Sequence, residues 1–155
     1  MAVNTSDWLK INKESWDKRT QIHLGSDFYN VESFKNGKDS LNTIELGLLG
    51  NIKAQKILHL QCHFGMDTLS LEKHGGIVTG VDFSQDAISH ANILKKEMGM
   101  SSEFICSNVY DLDLTASHEF DMVFCSYGIC GWLPDLNKWG EIISKHLKSG
   151  DTFTI

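Results

Sequence analysis

The chain has 155 residues and a net charge of -6; 41% of its residues are hydrophobic, 22% are charged and one is a proline. This composition predicts one globular domain with a single sizeable core, and it excludes a disordered or fibrous chain. Since no block is rich in lysine or arginine, the electrostatic footprint of a nucleic-acid-binding domain is absent.

No segment of the sequence is typical of export or of membrane insertion. The N-terminal MAVNTSDWLK has no apolar core like that of a signal peptide. No apolar run approaches the roughly 20 residues that a membrane span requires. The cysteines lie in apolar or strand-like surroundings without the spacing of a disulfide framework: Cys62, Cys106, Cys125 and Cys130. We therefore predict a cytoplasmic protein with reduced thiols and no membrane partner.

The first fifty residues predict helices and contain no clear strand. Their early part is rich in aromatic residues, namely Trp8, Trp16, Phe28 and Tyr29. Further on, SLNTIELGLLG has apolar residues at helical spacing, which predicts a helix with Asp39 or Ser40 as N-cap and Gly50 at its end. We interpret residues 1–50 as an N-terminal helical segment or lid.

From Lys56 onwards, predicted strands alternate with single predicted helices. The strands are predicted at KILHLQ, IVTGVDF, SEFICS, DMVFCSYG and DTFTI. Helices are predicted over DTLSLEKHGG, after Ser84 and after Pro134. This alternation implies right-handed crossovers and a parallel sheet covered by helices on both faces. Residues 51–155 are therefore predicted to form an α/β domain that binds ligands at the carboxyl ends of its strands.

The stretch ILHLQCHFGMDT, at the end of the first predicted strand, contains three residues of the metal-ligating types, His59, Cys62 and His63. Alternation along a strand places His59 and Gln61 on one face and Cys62 on the other, so the possible ligands diverge. We therefore predict no metal site. Cys62 is interpreted as a small buried hydrophobe and His59 as a core histidine, whereas His63 is the most suited of the three to contact a ligand.

The same stretch also has the position of a ligand-binding loop, because it joins a predicted strand to a predicted helix. Such loops usually contain several glycines, and Gly65 is the one present here. About twenty residues further on, Asp82 ends the second predicted strand, where a carboxylate can accept hydrogen bonds from both hydroxyls of a ribose. The alternative is that Asp82 caps the following helix; together with the loop, we favour the ribose role.

These motifs resemble those of the class I S-adenosylmethionine-dependent methyltransferases from Lys56 to Ile155. ILHLQCHFG resembles the first-strand motif of that family, with Gln61 and His63 where glycines are usual and Gly65 at the third glycine. GVDFS, CSNVYDL, FDMVFCSYGICGWLPDL and LKSGDTFTI resemble the later motifs in the same order. The resemblance is to a bacterial subgroup with LHLQCHFG and WLPDL, and it implies a Rossmann-like, doubly wound, mostly parallel sheet.

The resemblance also implies S-adenosylmethionine as cofactor and a role for each matched residue. It implies that Asp82 binds the adenosine ribose, that Phe83 lies beside the adenine and that Asn108 reads the adenine amino group. Ser126 and Tyr127 lie near the methionine part of the cofactor in this reading. For Asn108 an ordinary turn role is the alternative. The complete predicted cofactor-binding set is Gln61, Cys62, His63, Gly65, Thr68, Asp82, Phe83, Ser84, Asn108, Val109, Ser126 and Tyr127.

The sequence ends within the fifth predicted strand, whereas the sheet of the family usually continues with an antiparallel hairpin. The resemblance therefore implies that the C-terminal strands of the family are missing, either because the sequence is a fragment or because that part is absent. An unpaired edge strand favours pairing with another chain. We therefore hypothesise a homodimer through this edge.

The reaction that the resemblance implies is in-line methyl transfer to a nitrogen, oxygen or sulfur nucleophile. A small-molecule acceptor is expected because the basic surface of a nucleic-acid-binding protein is missing. His23, His63 and Tyr127 are unranked candidates for a general base, and the catalytic residues stay unassigned.

Two other functions compete with this interpretation. One is a truncated methyltransferase-like domain that binds the cofactor, or nothing, without turnover. The other is a nicotinamide-dependent oxidoreductase, which is disfavoured because a pyrophosphate depends more strongly on a glycine-rich loop than a methionine tail does.

Overall fold

A computed structural model describes residues 5–114 and 119–155 of the chain. Its helices are α1 Thr5–Leu24, α2 Val31–Lys35, α3 Thr43–Leu49, α4 Met66–Lys73, α5 Gln85–Glu97 and α6 Leu136–His146. Its strands are β1 Lys56–Leu60, β2 Ile77–Asp82, β3 Glu103–Cys106, β4 Phe120–Phe124 and β5 Leu147–Thr154. Short 3₁₀ turns follow β3 at Val109–Asp111 and β4 at Cys130–Trp132.

The five strands form one parallel sheet in the order β3-β2-β1-β4-β5. In the centre, His59 of β1 is aligned with Gly80 of β2 on one side and with Phe124 of β4 on the other. Chain order therefore reverses between β1 and β4, which creates the crevice where such sheets bind ligands. The predicted Rossmann-like α/β fold is confirmed.

The central strand is buried on both faces, as its run of apolar residues predicts. Ile57, Leu58 and Leu60 are fully buried, but they belong to different clusters. Leu58 and Leu60 pack in the cluster that contains Trp139 of α6, whereas Ile57 packs in the cluster that contains Leu71 of α4. Helices thus cover the sheet on both sides and leave its carboxyl edge accessible for a site.

The predicted start of the third helix is wrong. Asn42 is the N-cap of α3, and its side chain accepts a hydrogen bond from the backbone N–H of Ile44 at 2.8 Å. The carboxylate of Glu45 accepts a hydrogen bond from the backbone N–H of Asn42 at 3.0 Å, which completes a capping box. Asp39 instead accepts from the backbone N–H of Leu41. Gly50 ends the helix as predicted.

Helix α1 packs against α5, at the carboxyl edge of the sheet. The carboxylate of Asp17 accepts a hydrogen bond from the Ser84 hydroxyl at 2.6 Å and one from the backbone N–H of Asp86 at 3.4 Å. These contacts place α1 over the start of α5, next to the carboxyl end of β2. The assignment of residues 1–50 as a lid stays a prediction, and residues 1–4 lie outside the described part.

Strand β5 lies at an edge of the sheet and pairs with β4 and with no second strand among the described residues, so the homodimer through this edge stays a prediction. In the same part of the chain, no helix has the length and apolar character needed to cross a membrane.

Candidate cofactor site

The loop after β1, which covers residues 61–65 and which we call the cofactor loop, contains three residues in the left-handed backbone region. Gln61 has a φ of 52°, His63 of 53° and Gly65 of 80°. The first two are the positions at which the related family has glycines, so the backbone keeps that conformation although side chains have replaced hydrogen. A non-glycine residue in this region costs roughly 1–2 kcal/mol. The loop therefore holds local strain that the surrounding structure must offset.

Backbone hydrogen bonds to β2 hold this loop in place. The N–H of Cys62 donates to the carbonyl of Val81 at 2.9 Å, and the N–H of His63 donates to the Asp82 carboxylate at 2.8 Å. Within the loop, the N–H of Gly65 donates to the carbonyl of Cys62 at 3.0 Å. The strained turn is thus fixed by partners at the end of β2.

Asp82 is almost fully buried, with 8% of its surface exposed, and its two oxygens accept from different backbone groups. One accepts from His63 N–H, and the other accepts from Ser84 N–H at 2.9 Å. Burial raises the pKa of Asp82 to about 6, against the lowering effect of these hydrogen bonds. A carboxylate offers about four acceptor positions, so Asp82 can still accept a hydrogen bond from a ligand beside those from backbone N–H groups, which include that of Phe83.

A cavity of about 450 Å³ lies at the carboxyl ends of β1, β2 and β4. This volume is in the range of small-molecule and cofactor sites. Ten of the twelve predicted cofactor-binding residues line it: Gln61, Cys62, His63, Gly65, Asp82, Phe83, Asn108, Val109, Ser126 and Tyr127. The cavity therefore brings together residues from all the motifs between the first strand and the fourth.

The other two predicted residues, Thr68 and Ser84, do not line this cavity. Both are fully buried, and each has partners of its own. The Thr68 hydroxyl lies 2.8 Å from Nδ1 of His59, in the core between β1 and α4. The Ser84 hydroxyl caps α5 by accepting from Ala87 N–H at 3.1 Å, and it donates to Asp17. Their contacts position the site and do not reach its lumen.

Asn108 has the turn role that the sequence left open as one of two alternatives. Its side-chain oxygen accepts from Tyr110 N–H at 3.2 Å, so it caps the 3₁₀ turn after β3. Its amide nitrogen donates to Asp111 at 3.2 Å. The side chain also lines the cavity beside Phe83. The turn role is therefore present in the structure, and the contact with adenine stays a prediction.

Aromatic rings from the N-terminal segment pack on the cofactor loop and form what we call the ring cluster: Trp16, His23, Tyr29, His63 and Phe64. The ring centroid of His63 lies 5.4 Å from that of Trp16, 5.1 Å from His23 and 5.6 Å from Tyr29. Trp16, Tyr29 and His63 also line the cavity. The N-terminal segment therefore supplies part of the cavity wall.

The three candidate general bases differ in their surroundings. Burial, with a smaller effect of His23, lowers the pKa of His63 to about 3, so its ring is neutral and a weak base near neutral pH. Burial and the Arg19 charge lower the pKa of His23, which does not line the cavity. Tyr127 lines the cavity, is 70% exposed, and accepts a hydrogen bond from Asn42 at 2.9 Å. No catalytic residue is assigned from these contacts.

Sequence reasoning missed an acidic side chain of the site, the half-buried Asp67. It lies in the first turn of α4 and lines the cavity. The hydroxyls of Ser40 and Ser126 donate hydrogen bonds to it, and burial nevertheless raises the pKa of its carboxyl. The one available signal was an acidic residue in the first turn of a helix, which the helix dipole favours at any site. That signal does not distinguish a ligand contact from an ordinary helix start.

The possible metal ligands in β1 and the cofactor loop lie apart. The ring of His59 is fully buried, stacks edge-on against Phe124 at 5.0 Å and contacts Thr68. Cys62 is buried with its sulfur near Gly80, whereas His63 lies in the ring cluster. Within residues 5–114 and 119–155, no three histidine, cysteine or acidic side chains converge in a way that could hold a metal ion.

We expect the protein to lose stability in acid because two of its histidines, the buried His59 and the half-buried His63, are neutral. Burial lowers the pKa of His59, like that of His63, to about 3, against an ordinary value of 6.5. Below pH 6.5 the unfolded chain binds protons that the folded chain refuses, which removes about 1.4 kcal/mol per histidine and pH unit. Asp82 acts in the opposite direction between its folded pKa of about 6 and its ordinary value of 3.8. The net loss is then about 1.4 kcal/mol per pH unit over that interval.

Urea denaturation at pH 6 and at pH 4 measures this loss. The control variant is His63→Phe, which keeps a ring in the ring cluster and removes one titrating group. Its stability should change little between pH 6 and pH 4, because the remaining histidine and Asp82 then nearly cancel. Equal pH dependence in the variant and the original chain would contradict the assignment.

Comparisons with known proteins identify the family of the chain. A family model described as a methyltransferase domain matches residues 57–150. The ubiquinone biosynthesis O-methyltransferase of Coxiella burnetii is 27% identical over 118 residues, which cover 74% of this chain and 49% of that protein. The chain thus spans about half the length of the curated relatives it matches.

Solved structures share the fold. An S-adenosylmethionine-dependent methyltransferase from Clostridium acetobutylicum has a TM-score of 0.62 at 24% identity, covering 92% of this chain and 55% of that chain. The Haemonchus contortus phosphoethanolamine N-methyltransferase 1, solved with phosphoethanolamine and S-adenosylhomocysteine, has a TM-score of 0.76 at 15% identity, covering 97% and 32%. Since the family model matches more than half of the residues, the chain belongs to the methyltransferase domain family.

Proposed function

We propose that the chain binds S-adenosylmethionine and takes part in methyl transfer to a small-molecule acceptor. The observation that carries the proposal is the placement of Asp82. Its buried carboxylate lies at the end of β2, is fixed by two backbone N–H groups and lines a cavity next to the left-handed cofactor loop. This is the position from which a carboxylate binds ribose hydroxyls in sheets of this topology.

The residues of the cavity fit the cofactor along its length. Asp82 has lone pairs free for the ribose, and Phe83, Asn108 and Val109 line the neighbouring part, which suits the adenine. At the other end, the Nε2 atom of Gln61 is buried without a hydrogen-bond partner among the described residues, so a polar group of a ligand would satisfy it. The fit therefore rests on groups whose hydrogen-bonding capacity is still open.

When bound, S-adenosylmethionine supplies a methyl group on a sulfonium, which an N, O or S nucleophile of the acceptor takes by in-line displacement. The residues of the chain contribute mainly by holding the reactants in line and excluding water. The ring cluster serves the second purpose, because Trp16, Tyr29 and His63 wall the cavity with apolar surface. We also propose that residues 1–50 act as a lid, since α1 and Tyr29 supply this wall.

The four carboxylates that line the cavity favour a small acceptor over a nucleic acid. They are Asp39, Glu45, Asp67 and Asp82, against one lining lysine, Lys38. A cavity with this balance repels phosphate backbones, whereas the positively charged cofactor suits it. We therefore propose a cytoplasmic methyltransferase with a small-molecule acceptor.

Calorimetric titration of the chain with S-adenosylmethionine, S-adenosylhomocysteine and NAD tests the proposal. We expect binding of the first two and none of NAD. Tight NAD binding would favour the oxidoreductase, and no binding of the first two would overturn the proposal. A methyl-transfer screen over amines, phenols and thiols then separates turnover from cofactor binding alone.

A further inference from the structure

The conformation of Gln61 calls for an explanation beyond the turn itself. Its backbone adopts the left-handed region, where glycine is unstrained and glutamine is not. Its side chain lines the cavity, with the amide oxygen 4.0 Å from Sγ of Cys125 and the amide nitrogen buried without a partner in the described structure. An unsatisfied buried donor costs about 1–3 kcal/mol. The residue thus carries two unfavourable features, and a ligand that accepts from its Nε2 relieves one of them.

Asp67 lines the same cavity as Gln61, and its carboxylate could bind a positively charged group of a ligand. Asp67 lines the cavity, and its carboxylate accepts hydrogen bonds from the hydroxyls of Ser40 and Ser126. None of the ion pairs among the described residues involves it. Burial raises the pKa of the Tyr29 phenol, and the negative charge of Asp67 raises it further. A half-buried carboxylate without a counter-charge is stabilised by a ligand that brings a cation.

The two side chains contact two consecutive residues that follow β4. Gln61 contacts Cys125, and Asp67 accepts from Ser126, which is the next residue. An amide donor and a carboxylate placed together match the carboxylate and the ammonium of an α-amino acid. The amino-acid end of the proposed cofactor has this chemistry, whereas its adenosine end has neither group.

We propose that Gln61 and Asp67 together hold the amino-acid end of the cofactor, with Gln61 donating to its carboxylate and Asp67 accepting from its ammonium. The inference rests on the proposed function and deepens it. Both are positioning residues, because they fix the tail from which the sulfonium extends and so help to aim the methyl group. The side chain of Gln61 thereby replaces part of the work that a glycine loop does through its backbone.

The experiment pairs each variant with a ligand that lacks the matching group. Calorimetry is run with S-adenosylhomocysteine, deamino-S-adenosylhomocysteine, decarboxy-S-adenosylhomocysteine and methylthioadenosine, which lacks the whole amino-acid end. We expect Asp67→Asn to weaken S-adenosylhomocysteine by about 10- to 100-fold and the deamino ligand by less than about 3-fold. Gln61→Leu should weaken S-adenosylhomocysteine by about 10-fold and leave the decarboxy ligand unchanged. Methylthioadenosine should bind all variants like the original chain.

Two further variants separate recognition from folding. Gln61→Gly removes the same amide but relieves the left-handed backbone, so it should lose the same affinity without losing stability. Asp113→Asn is the control for a lost carboxylate charge, since Asp113 is paired with Lys145 at 2.7 Å and does not line the cavity. Its effect on S-adenosylhomocysteine should be less than about 3-fold.

The other possible results distinguish a failure of the residue assignment from a failure of the proposed function. If Asp67→Asn or Gln61→Leu leaves S-adenosylhomocysteine binding unchanged, or weakens the truncated ligands equally, the assignment is overturned while the proposed function stands. If the original chain binds neither S-adenosylhomocysteine nor methylthioadenosine, the proposed function itself fails.

Discussion

Gly65→Ala is expected to lower the free energy of unfolding by about 2–4 kcal/mol. Gly65 has a φ of 80°, so a side chain there is strained before any contact is considered. A Cβ at this position would also lie 2.6 Å from two ring atoms of Phe104 and 3.1 Å from Cβ of Ala91. The ring of Phe104 extends from β3 and packs against the cluster that contains Met66 at the start of α4. It must therefore move to admit the methyl group. Urea denaturation measures the loss.

The matched control for this prediction is Gly99→Ala. Gly99 also has a positive φ, of 65°, but a Cβ there would meet no atom within 4 Å. It should therefore lose only the conformational part, about 1 kcal/mol. An equal loss in both variants would show that the close approach of Phe104 contributes nothing. A larger loss for Gly65→Ala explains why this glycine is present although Gln61 and His63 occupy the other two left-handed positions.

The sheet was predictable from the sequence because each strand is a short apolar run between helix signals. The burial of Ile57, Leu58 and Leu60 on both faces follows from their continuous apolar character, and Ser84 caps α5 as predicted. Asp82 was found because its distance from the first strand is set by the length of one β-α-β unit. Local patterns and regular spacing sufficed for these features.

The rest depends on contacts between distant parts of the chain. The ring cluster joins His63 to Trp16 and Tyr29, and no local pattern relates these positions. The carboxylate of Asp67 accepts hydrogen bonds from Ser40 and Ser126, which lie in two separate loops. The left-handed backbone of Gln61 was also unpredictable from its side chain, since glutamine has no preference for that region.

Asp82→Asn is expected to weaken S-adenosylhomocysteine binding by about 30- to 100-fold at pH 7.5, if Asp82 binds the ribose as proposed. An ionised carboxylate can accept from both ribose hydroxyls while it keeps its bonds to the N–H groups of His63 and Ser84. An asparagine presents one oxygen and one NH₂ group, so one of these backbone donors faces a donor. The unfolding free energy must therefore be measured beside the affinity, since part of the effect is on the loop.

The pH dependence of binding separates the two effects. Because burial raises the pKa of Asp82 to about 6, the free carboxyl becomes protonated below that pH and loses acceptor capacity. The affinity of the original chain should thus be constant above about pH 7 and fall by up to tenfold per unit below pH 6. His59 and His63, with pKa values of about 3, stay neutral over this interval and contribute nothing.

Calorimetry between about pH 5 and pH 8, with circular dichroism to verify that the chain stays folded, makes this test. The Asp82→Asn variant should bind weakly at every pH, without the fall below pH 6. If the variant keeps the same fall, another group titrates, and Asp67 would be the next candidate because it lines the cavity and burial raises the pKa of its carboxyl. If the original chain shows no fall, the ionised form of Asp82 is not what the cofactor requires, and the carboxylate would serve only to fix the loop.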